Sequence, residues 1–352
     1  MNRDDIDFTG YTCPVPLTPT DTVMLGHGSG GKLTHDLIKR LFLPELGQSA
    51  PRSLDDSAIL TINGQRLALT TDSHVVAPLF FPGGDIGRLA VCGTVNDLAM
   101  AGANPVALTC AFVIEEGLSF DVLQRVVQSM HASAAEAGVF IAAGDTKVVG
   151  KGGADRLFIN TAGIGCVPEG VDISGANAQE GDVIIISGTL GDHGIAVLSA
   201  REGLGFETDL QSDVAPLNHL VHAMLAAGVV SVLRDPTRGG LATTLVEIAA
   251  QSNVTVQIEE QALPVRPQVR AACEMLGFDP LYVANEGKLV AFVPARDADK
   301  VLAAMRAARY GGDAAVIGKV IAAGKPQVHL KTIIGGTRLV DMLPGEMLPR
   351  IC

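Results

Sequence analysis

The sequence has no tryptophan and three tyrosines in 352 residues, so it carries no aromatic binding platform. Basic residues are in deficit. Lys and Arg total 26 against 38 Asp and Glu, a formal charge of −12, which argues against a broad nucleic-acid surface or an anionic membrane as partner. No apolar run approaches the roughly 20 residues of a membrane span, and the polar start MNRDDIDFTG lacks the basic and hydrophobic regions of a signal peptide. The cysteines (Cys13, Cys92, Cys110, Cys166, Cys273 and Cys352) include no CxxC pair. Reduced thiols in a cytoplasm fit that scatter better than disulfides or a zinc site.

What the chain does have is apolar mass and glycine. With 47% hydrophobic residues, 40 glycines and this length, it suits two folded domains with tight turns and close packing. Acidic charge remains compatible with nucleotide binding when magnesium ions bridge carboxylates to phosphates.

The last stretch is Met347-Leu348-Pro349-Arg350-Ile351-Cys352. Pro344, Gly345 and Pro349 oppose a helix or central strand here, so residues 339–352 are expected to form a mobile tail with a nucleophilic sulfur at its tip. Prenylation needs three residues after the cysteine, and none follow. The commoner use of such a segment is a plain disordered end.

Residues 1–22 are polar and proline-rich and read as an extended leader. Gly26-His27-Gly28-Ser29-Gly30-Gly31-Lys32-Leu33 follows. Its spacing approaches a P-loop, but Leu33 stands where a magnesium-binding hydroxyl belongs. Two readings stay open, a glycine loop whose N–H groups cover phosphates and a flexible surface loop. Leu33, Leu37 and Leu41 then recur every four residues and predict a helix, its face widened by Ile38 and Phe42.

A series of carboxylates comes next. Leu54-Asp55-Asp56-Ser57 leads into a hairpin turning at Asn63-Gly64, which returns through Thr70-Thr71-Asp72-Ser73-His74. A helix is expected over 87–103, carrying Asn96 and Asp97. A strand (106–114) and a helix (120–137) precede a second strand expected to end at Gly144-Asp145-Thr146-Lys147. A single such aspartate is usually a cap or turn residue. Four of them at the ends of successive apolar elements can converge on one rim, where like charges need metal cations.

Composition shifts near Pro168–Asp172, a domain boundary. Beyond it, Gly181–Gly188 reads as a buried strand followed by a glycine turn at Gly191-Asp192-His193-Gly194. Arg234-Asp235-Pro236-Thr237-Arg238-Gly239-Gly240 is a turn opening a helix, either to receive an anion or simply as a cap. Glu286, in Asn285-Glu286-Gly287-Lys288, is either solvated or a base facing a cleft. Strands and helices alternate in both halves, a pattern of two related α/β domains.

These words together resemble a known family. Gly26–Gly31, Leu54–Ala58, Thr70–Val76, Pro82–Gly87, Val95–Met100, Gly144–Lys147 and the closing Pro349-Arg350-Ile351-Cys352 are similar to the HypE hydrogenase maturation proteins, from about Met24 onward. The aspartate and glycine words alone also resemble the wider superfamily of aminoimidazole ribonucleotide synthetase, thiamine-monophosphate kinase and selenophosphate synthetase. The terminal Pro-Arg-Ile-Cys separates the HypE members.

The resemblance implies a two-domain α/β (α+β) fold of the aminoimidazole ribonucleotide synthetase type. An ATP-binding and dimerisation domain would span 23–167 and a second α/β domain 168–338, followed by the mobile tail. It implies ATP-dependent dehydration of a carbamoyl group on Cys352 to a thiocyanate, the cyano ligand of [NiFe]-hydrogenase iron. The carbamoyltransferase HypF would load the tail and a HypC–HypD scaffold would unload it. The family pairs through first-domain sheets, so a homodimer is expected.

By the same resemblance Glu286 is the base, with Lys147 as its partner or merely in an ion pair with it. Asp56, Asp72, Asp97 and Asp145 hold Mg2+, and Gly28, Ser29, Gly30, Gly31, Lys32, Thr71, Asn96 and Thr146 complete the nucleotide site. Two rivals are a superfamily kinase or synthetase acting on a small molecule, and a nucleotide-binding scaffold whose tail is only a docking peptide.

Overall fold

The computed structural model describes residues 22–46, 54–201, 209–343, 345, 348 and 350–352. Cys13, the leader up to residue 21, Pro344 and Pro349 lie outside them.

The first sheet is built from β1 (Ala58–Ile62), β2 (Gln65–His74), β3 (Asn104–Glu115), β4 (Phe140–Val149) and β5 (Leu157–Cys166), in the order β1-β2-β5-β3-β4. β1 and β2 form the expected hairpin. Asn63 and Gly64 both take positive φ (51° and 81°), as a two-residue turn matched to strand twist requires. β3 and β4 run parallel, joined by a helical crossover; the other pairs are antiparallel.

Two helices cover one face. α1 (Ile86–Met100) is capped by Asp85, whose carboxylate accepts from the Gly87 and Arg88 amides. α2 (Phe120–Ala137) starts at the Ser119 cap and stops at Gly138 in the left-handed region. The core between sheet and helices includes Leu89, Val95, Leu98, Leu108, Met130, Leu157 and Ile159, part of a larger apolar cluster that Leu348 and Ile351 of the tail also join.

Among the described residues, no helix covers the sheet's other face. Leu69, Ile164, Ala107 and Phe140 lie level across four strands. Three of these are exposed large apolar residues, as are Ile59, Leu60, Ile62 and Val148 nearby.

The second sheet has seven strands among the described residues. They are β6 (Val183–Ile186), β7 (Val232–Arg234), β8 (Val254–Glu259), β9 (Val290–Val293), β10 (Ala315–Ala323), β11 (Gln327–Lys331) and β12 (Thr337–Val340). Their order is β12-β11-β8-β10-β6-β9-β7. Ile184 and Ile186 face one core with a helix at Gly240–Ser252, while Ile185 faces another with helices at Asn218–Ala227 and Ala295–Ala307. Burial on both faces explains the unbroken Val-Ile-Ile-Ile run.

Two expectations need correction. The strand predicted to end at Lys147 runs on to Val149, so Asp145-Thr146-Lys147 lies within an edge strand. The helix after the glycine loop forms as Lys32–Leu37, continuing through a π-helical turn, yet Leu41 and Phe42 remain exposed. Its apolar stripe has the right period but only part of it meets the rest of the chain. Among the described residues no helix is long and apolar enough to cross a membrane.

Candidate active site

The two halves meet through polar groups on the Asp55-Asp56 segment before β1, on α1 and at Arg234. Asp55 accepts from the Ser174 hydroxyl (2.8 Å) and the Gly175 amide (2.9 Å). Arg234 donates to Glu247 at 2.6 Å and stands 3.0 Å from Asp56, close but off the hydrogen-bond axis. Asn96 bridges the seam with its whole amide. Its Nδ2 donates to the Ala215 carbonyl (3.0 Å) and the Glu286 carbonyl (3.2 Å), and its Oδ1 accepts from the Leu217 amide (2.8 Å). Expected as a nucleotide contact, Asn96 here holds the main chain that carries Glu286.

Around that seam sits a cluster of buried carboxyls. The Thr70 hydroxyl donates to Asp97 (2.8 Å) and lies 2.9 Å from the Asp56 carbonyl, while Ser57 donates to the Asp97 carbonyl (2.8 Å). Burial raises Asp97 well above the usual carboxylate range, and the charges of Asp235, Asp72 and Asp56 add to it. Burial likewise raises Asp56, with Arg234 opposing. Asp235 is pushed up to about 6 by burial, again against Arg234. Glu286, 3% exposed, is raised well above its usual value by burial and by Asp72, Asp235 and Asp213, and its Oε1 has no hydrogen-bond partner. Such a carboxyl is a strong base once ionised.

A glycine makes room for part of this cluster. A Cβ at Gly93 would stand 3.0 Å from His74 and 3.1 Å from Asp72, so a larger residue there would press those β2 side chains aside by a few tenths of an ångström. Asp72 and His74 approach to 3.4 Å without a hydrogen bond. His74 is buried, and burial lowers its pKa despite Asp72.

The sheet register settles where the remaining predicted residues stand. Asp72 is level with Thr161, Cys110 and Gly144, whereas Asp145 is level with Ala111, Asn160 and Ser73, one residue further along. Side chains alternate across a sheet, so Asp72 faces α1 and Asp145 faces the open side. Thr71, Ser73 and Lys147 share that open side. Asp145 and Lys147 form an exposed ion pair at 2.7 Å, with side chains 65% and 68% exposed, and Lys147 lowers the Asp145 pKa through their hydrogen bond. Thr146 turns to the α2 side and lines a hollow with Cys110 and Met130. Within one chain, therefore, Asp56, Asp72, Asp97 and Glu286 come together, and Asp145, Thr146 and Lys147 stand apart.

The glycine loop closes over the tail. A Cβ at Gly31 would lie 2.7 Å from the Leu343 carbonyl, and at Gly30 (φ 76°) 3.0 Å from Arg238 Cβ. The Lys32 amide donates to that Leu343 carbonyl at 3.1 Å, and Arg238 donates to the Gly28 carbonyl at 3.0 Å. Ser29 donates to the Gly26 carbonyl, and the Lys32 side chain is exposed. A space of only about 30 Å3 remains between Ser29, Gly31, Arg238, Tyr282, Leu348 and Ile351. In this conformation the loop covers the base of the tail.

The tail itself is docked, although proline and glycine predicted a mobile arm. It runs antiparallel to residues 75–77. A terminal carboxylate oxygen of Cys352 accepts from the Val75 amide (3.0 Å), and the Arg350 carbonyl from the Ala77 amide (3.3 Å) and from Arg201 (2.9 Å). Arg350 Nε donates to the Val75 carbonyl (3.0 Å), its guanidinium pairs with Asp155, and it lies over the Phe158 ring. Ile351 is 4% exposed. Arg238 binds the assembly electrostatically: negative charge at Cys352 contributes most to raising its pKa, ahead of Asp72, Glu286 and Asp97.

Sequence reasoning did not single out Arg234, Asp235, Arg238 or His74 as site residues. The signal was present in Arg234-Asp235-Pro236-Thr237-Arg238, where three charges flank a proline turn, a density too great for burial without partners.

Family models match most of the chain: the AIR synthase related protein N-terminal domain over residues 54–167, and the corresponding C-terminal domain over 179–331. The carbamoyl dehydratase HypE of Cupriavidus necator is 53% identical over 345 residues, spanning 97% of this chain and 98% of that protein. A crystal structure of a HypE–HypF complex superposes with TM-score 0.83 at 51% identity, over 87% of this chain and 99% of that one. HypE crystallised with ATP gives TM-score 0.79 at 51% identity, over 94% and 100%. Thiamine monophosphate kinase from Aquifex aeolicus shares the fold at TM-score 0.61 with 19% identity, over 83% and 99%.

Proposed function

Because the chain belongs to the HypE family of AIR synthase related proteins, we propose that it is an ATP-dependent carbamoyl dehydratase acting on its own Cys352. The observation that supports this reading is the docked tail, whose end pairs with Val75 and Ala77 and whose Leu348 and Ile351 line the same small space as Arg238 and the glycine loop.

The substrate is Cys352–S–C(=O)–NH2, formed with HypF, the partner seen with a relative. An amide oxygen is a very poor leaving group. Transfer of the γ-phosphoryl of ATP to it, with loss of one N–H proton, gives an O-phosphorylated imidate and ADP. Loss of the second N–H proton forms the C≡N bond as the C–O bond breaks, releasing phosphate and leaving Cys352–S–C≡N. Both steps remove a proton from nitrogen, the task we assign to Glu286. Arg238 offsets negative charge gathering beside it.

A hard divalent cation fits the chemistry of Asp56, Asp72 and Asp97, which offer only oxygen donors. Asp56 Oδ2 is buried without a hydrogen-bond partner, and a cation would stabilise the ionised carboxylates that burial, and after it the neighbouring negative charges, disfavour. Among the described residues no three such groups converge closely enough to hold a metal as they stand. Mg2+ arriving with the nucleotide is the reading this favours, and it would neutralise charge on the phosphates.

Asp145, Thr146 and Lys147 enter through a second copy. The open sheet face, apolar at Leu69, Ile164 and Phe140, is of the kind soluble proteins cover. A homodimer paired there would carry one copy's Lys147 toward the other's cleft. A HypC–HypD complex would receive the cyano group, and a cytoplasmic setting would suit cysteines scattered without a CxxC pair.

ATP turnover by Cys352→Ala protein tests the assignment. Turnover should vanish with the thiol; turnover that survives and needs a diffusible acceptor would instead mark a superfamily kinase or synthetase.

A further inference from the structure

One buried histidine has no part in the chemistry above. His193 is 0% exposed in the helix Asp192–Ser199, and its ring meets the edge of Phe81 at 90°. Its Nε2 lies 2.8 Å from the Ile351 carbonyl, and its Nδ1 lies 2.8 Å from the Ser212 hydroxyl. A carbonyl only accepts, so Nε2 carries the proton, and Nδ1 must accept from Ser212. The Ser212 oxygen in turn accepts from the Val214 amide (3.1 Å), and the Ser212 amide is tied to the Pro82 carbonyl (2.8 Å). The donors therefore run one way, from Val214 through Ser212 and His193 into the tail.

The carbonyls of Arg350 and Ile351 and a carboxylate oxygen of Cys352 are all gripped, and they alternate. The oxygens of Arg350 and Cys352 accept from Ala77 and Val75 on one edge, while the Ile351 carbonyl turns to the other edge, where His193 meets it. The Ile351 carbonyl belongs to the peptide plane that leads into Cys352. Because a peptide is planar, fixing that plane fixes the Cα from which the sulfur projects.

We propose that His193, its tautomer set by Ser212, is a positioning residue that orients the Ile351–Cys352 peptide so that a group on the Cys352 sulfur reaches the cleft. The inference rests on the self-dehydration reading, but its first readout does not depend on it. The grip is on main chain, so it acts whatever group the sulfur carries. Edge pairing at 75–77 sets the register of the tail, and His193 sets its rotation about that edge.

The test uses full-length protein in which His193→Phe keeps a ring but loses the donor, and Ser212→Ala frees the tautomer. Alkylation of Cys352 by iodoacetamide, read on the C-terminal peptide, should speed up about tenfold in His193→Phe and two- to threefold in Ser212→Ala. Carbamoylation by HypF should proceed at least as fast as in wild type, because loading needs the tail released. Single-turnover dehydration should slow at least tenfold in His193→Phe, with the ATP dependence unchanged, and His193→Gln should recover part of both effects. Wild-type alkylation and dehydration rates in both variants would overturn the proposal, as would faster alkylation with undiminished dehydration. Should His193→Phe fail to fold, Ser212→Ala decides on the same two rates. If wild-type carbamoylated protein never dehydrates, the catalytic reading fails, and the alkylation contrast still decides whether His193 holds the tail.

Discussion

Asp72 and Asp145 stand one residue level apart in the same sheet and face opposite sides of it. Asp72 lies under α1 near the buried carboxyls. Asp145 sits with Lys147 on the open face. If both sets serve one reaction, they belong to two copies of the chain.

That gives a test by mixing. Lys147→Ala and Glu286→Gln proteins should each be inactive alone. Co-refolded together, they should regain about a quarter of the wild-type sites, because half of random dimers are mixed and each contains one intact site. A mixture as inactive as its components, or a Lys147→Ala protein of normal activity, would remove Lys147 from the shared site.

Asn96→Ala should be costly, since it leaves the Ala215 and Glu286 carbonyls and the Leu217 amide unpaired in a buried seam. A loss of about 3 kcal/mol is expected from unsatisfied groups of this kind, together with slower dehydration as Glu286 loses its anchor. Urea unfolding at neutral pH measures the first and single-turnover assay the second. A change within about 0.5 kcal/mol, the range of neutral surface substitutions, would show that the seam does not depend on Asn96.

The pH dependence follows from Asp235. Burial raises its carboxyl to about 6, so the folded state favours the protonated form. That contribution is fully present below the ordinary carboxylate pKa and is lost as pH rises through about 6. Between pH 5 and 8, wild-type protein without nucleotide should lose about 1 kcal/mol of stability that Asp235→Asn does not lose. Parallel denaturation curves at the two pH values check this. Identical pH slopes would mean that Asp235 is ionised in the folded state throughout.

Much of this was legible in the chain. The Asn63-Gly64 hairpin, the helix over 120–137 and the buried Val183–Ile186 strand follow from turn chemistry and hydrophobic period, which are local. The convergence of Asp56, Asp72 and Asp97 was also expected from their places beside apolar elements. Opposite facing of Asp72 and Asp145 was not, because it depends on the register of four strands, and one residue of slip would reverse it. The contact of His193 with Ile351 spans 158 positions, and no periodicity links the two. The docked tail was missed for a related reason. Proline and glycine describe what the segment resists locally, whereas its burial comes from the Val75–Ala77 edge, Arg201 and His193 acting together.

The central claim is that the protein dehydrates its own last cysteine, and the intact mass of the C-terminal peptide tests it most directly. The protein would be incubated with HypF and carbamoyl phosphate, and the peptide weighed before and after Mg-ATP. Cys352 should gain one carbamoyl group and then lose one water only when ATP is present, while Glu286→Gln protein should stop at the carbamoyl stage. A tail that stays unmodified while ATP is consumed with a small acceptor would contradict the account.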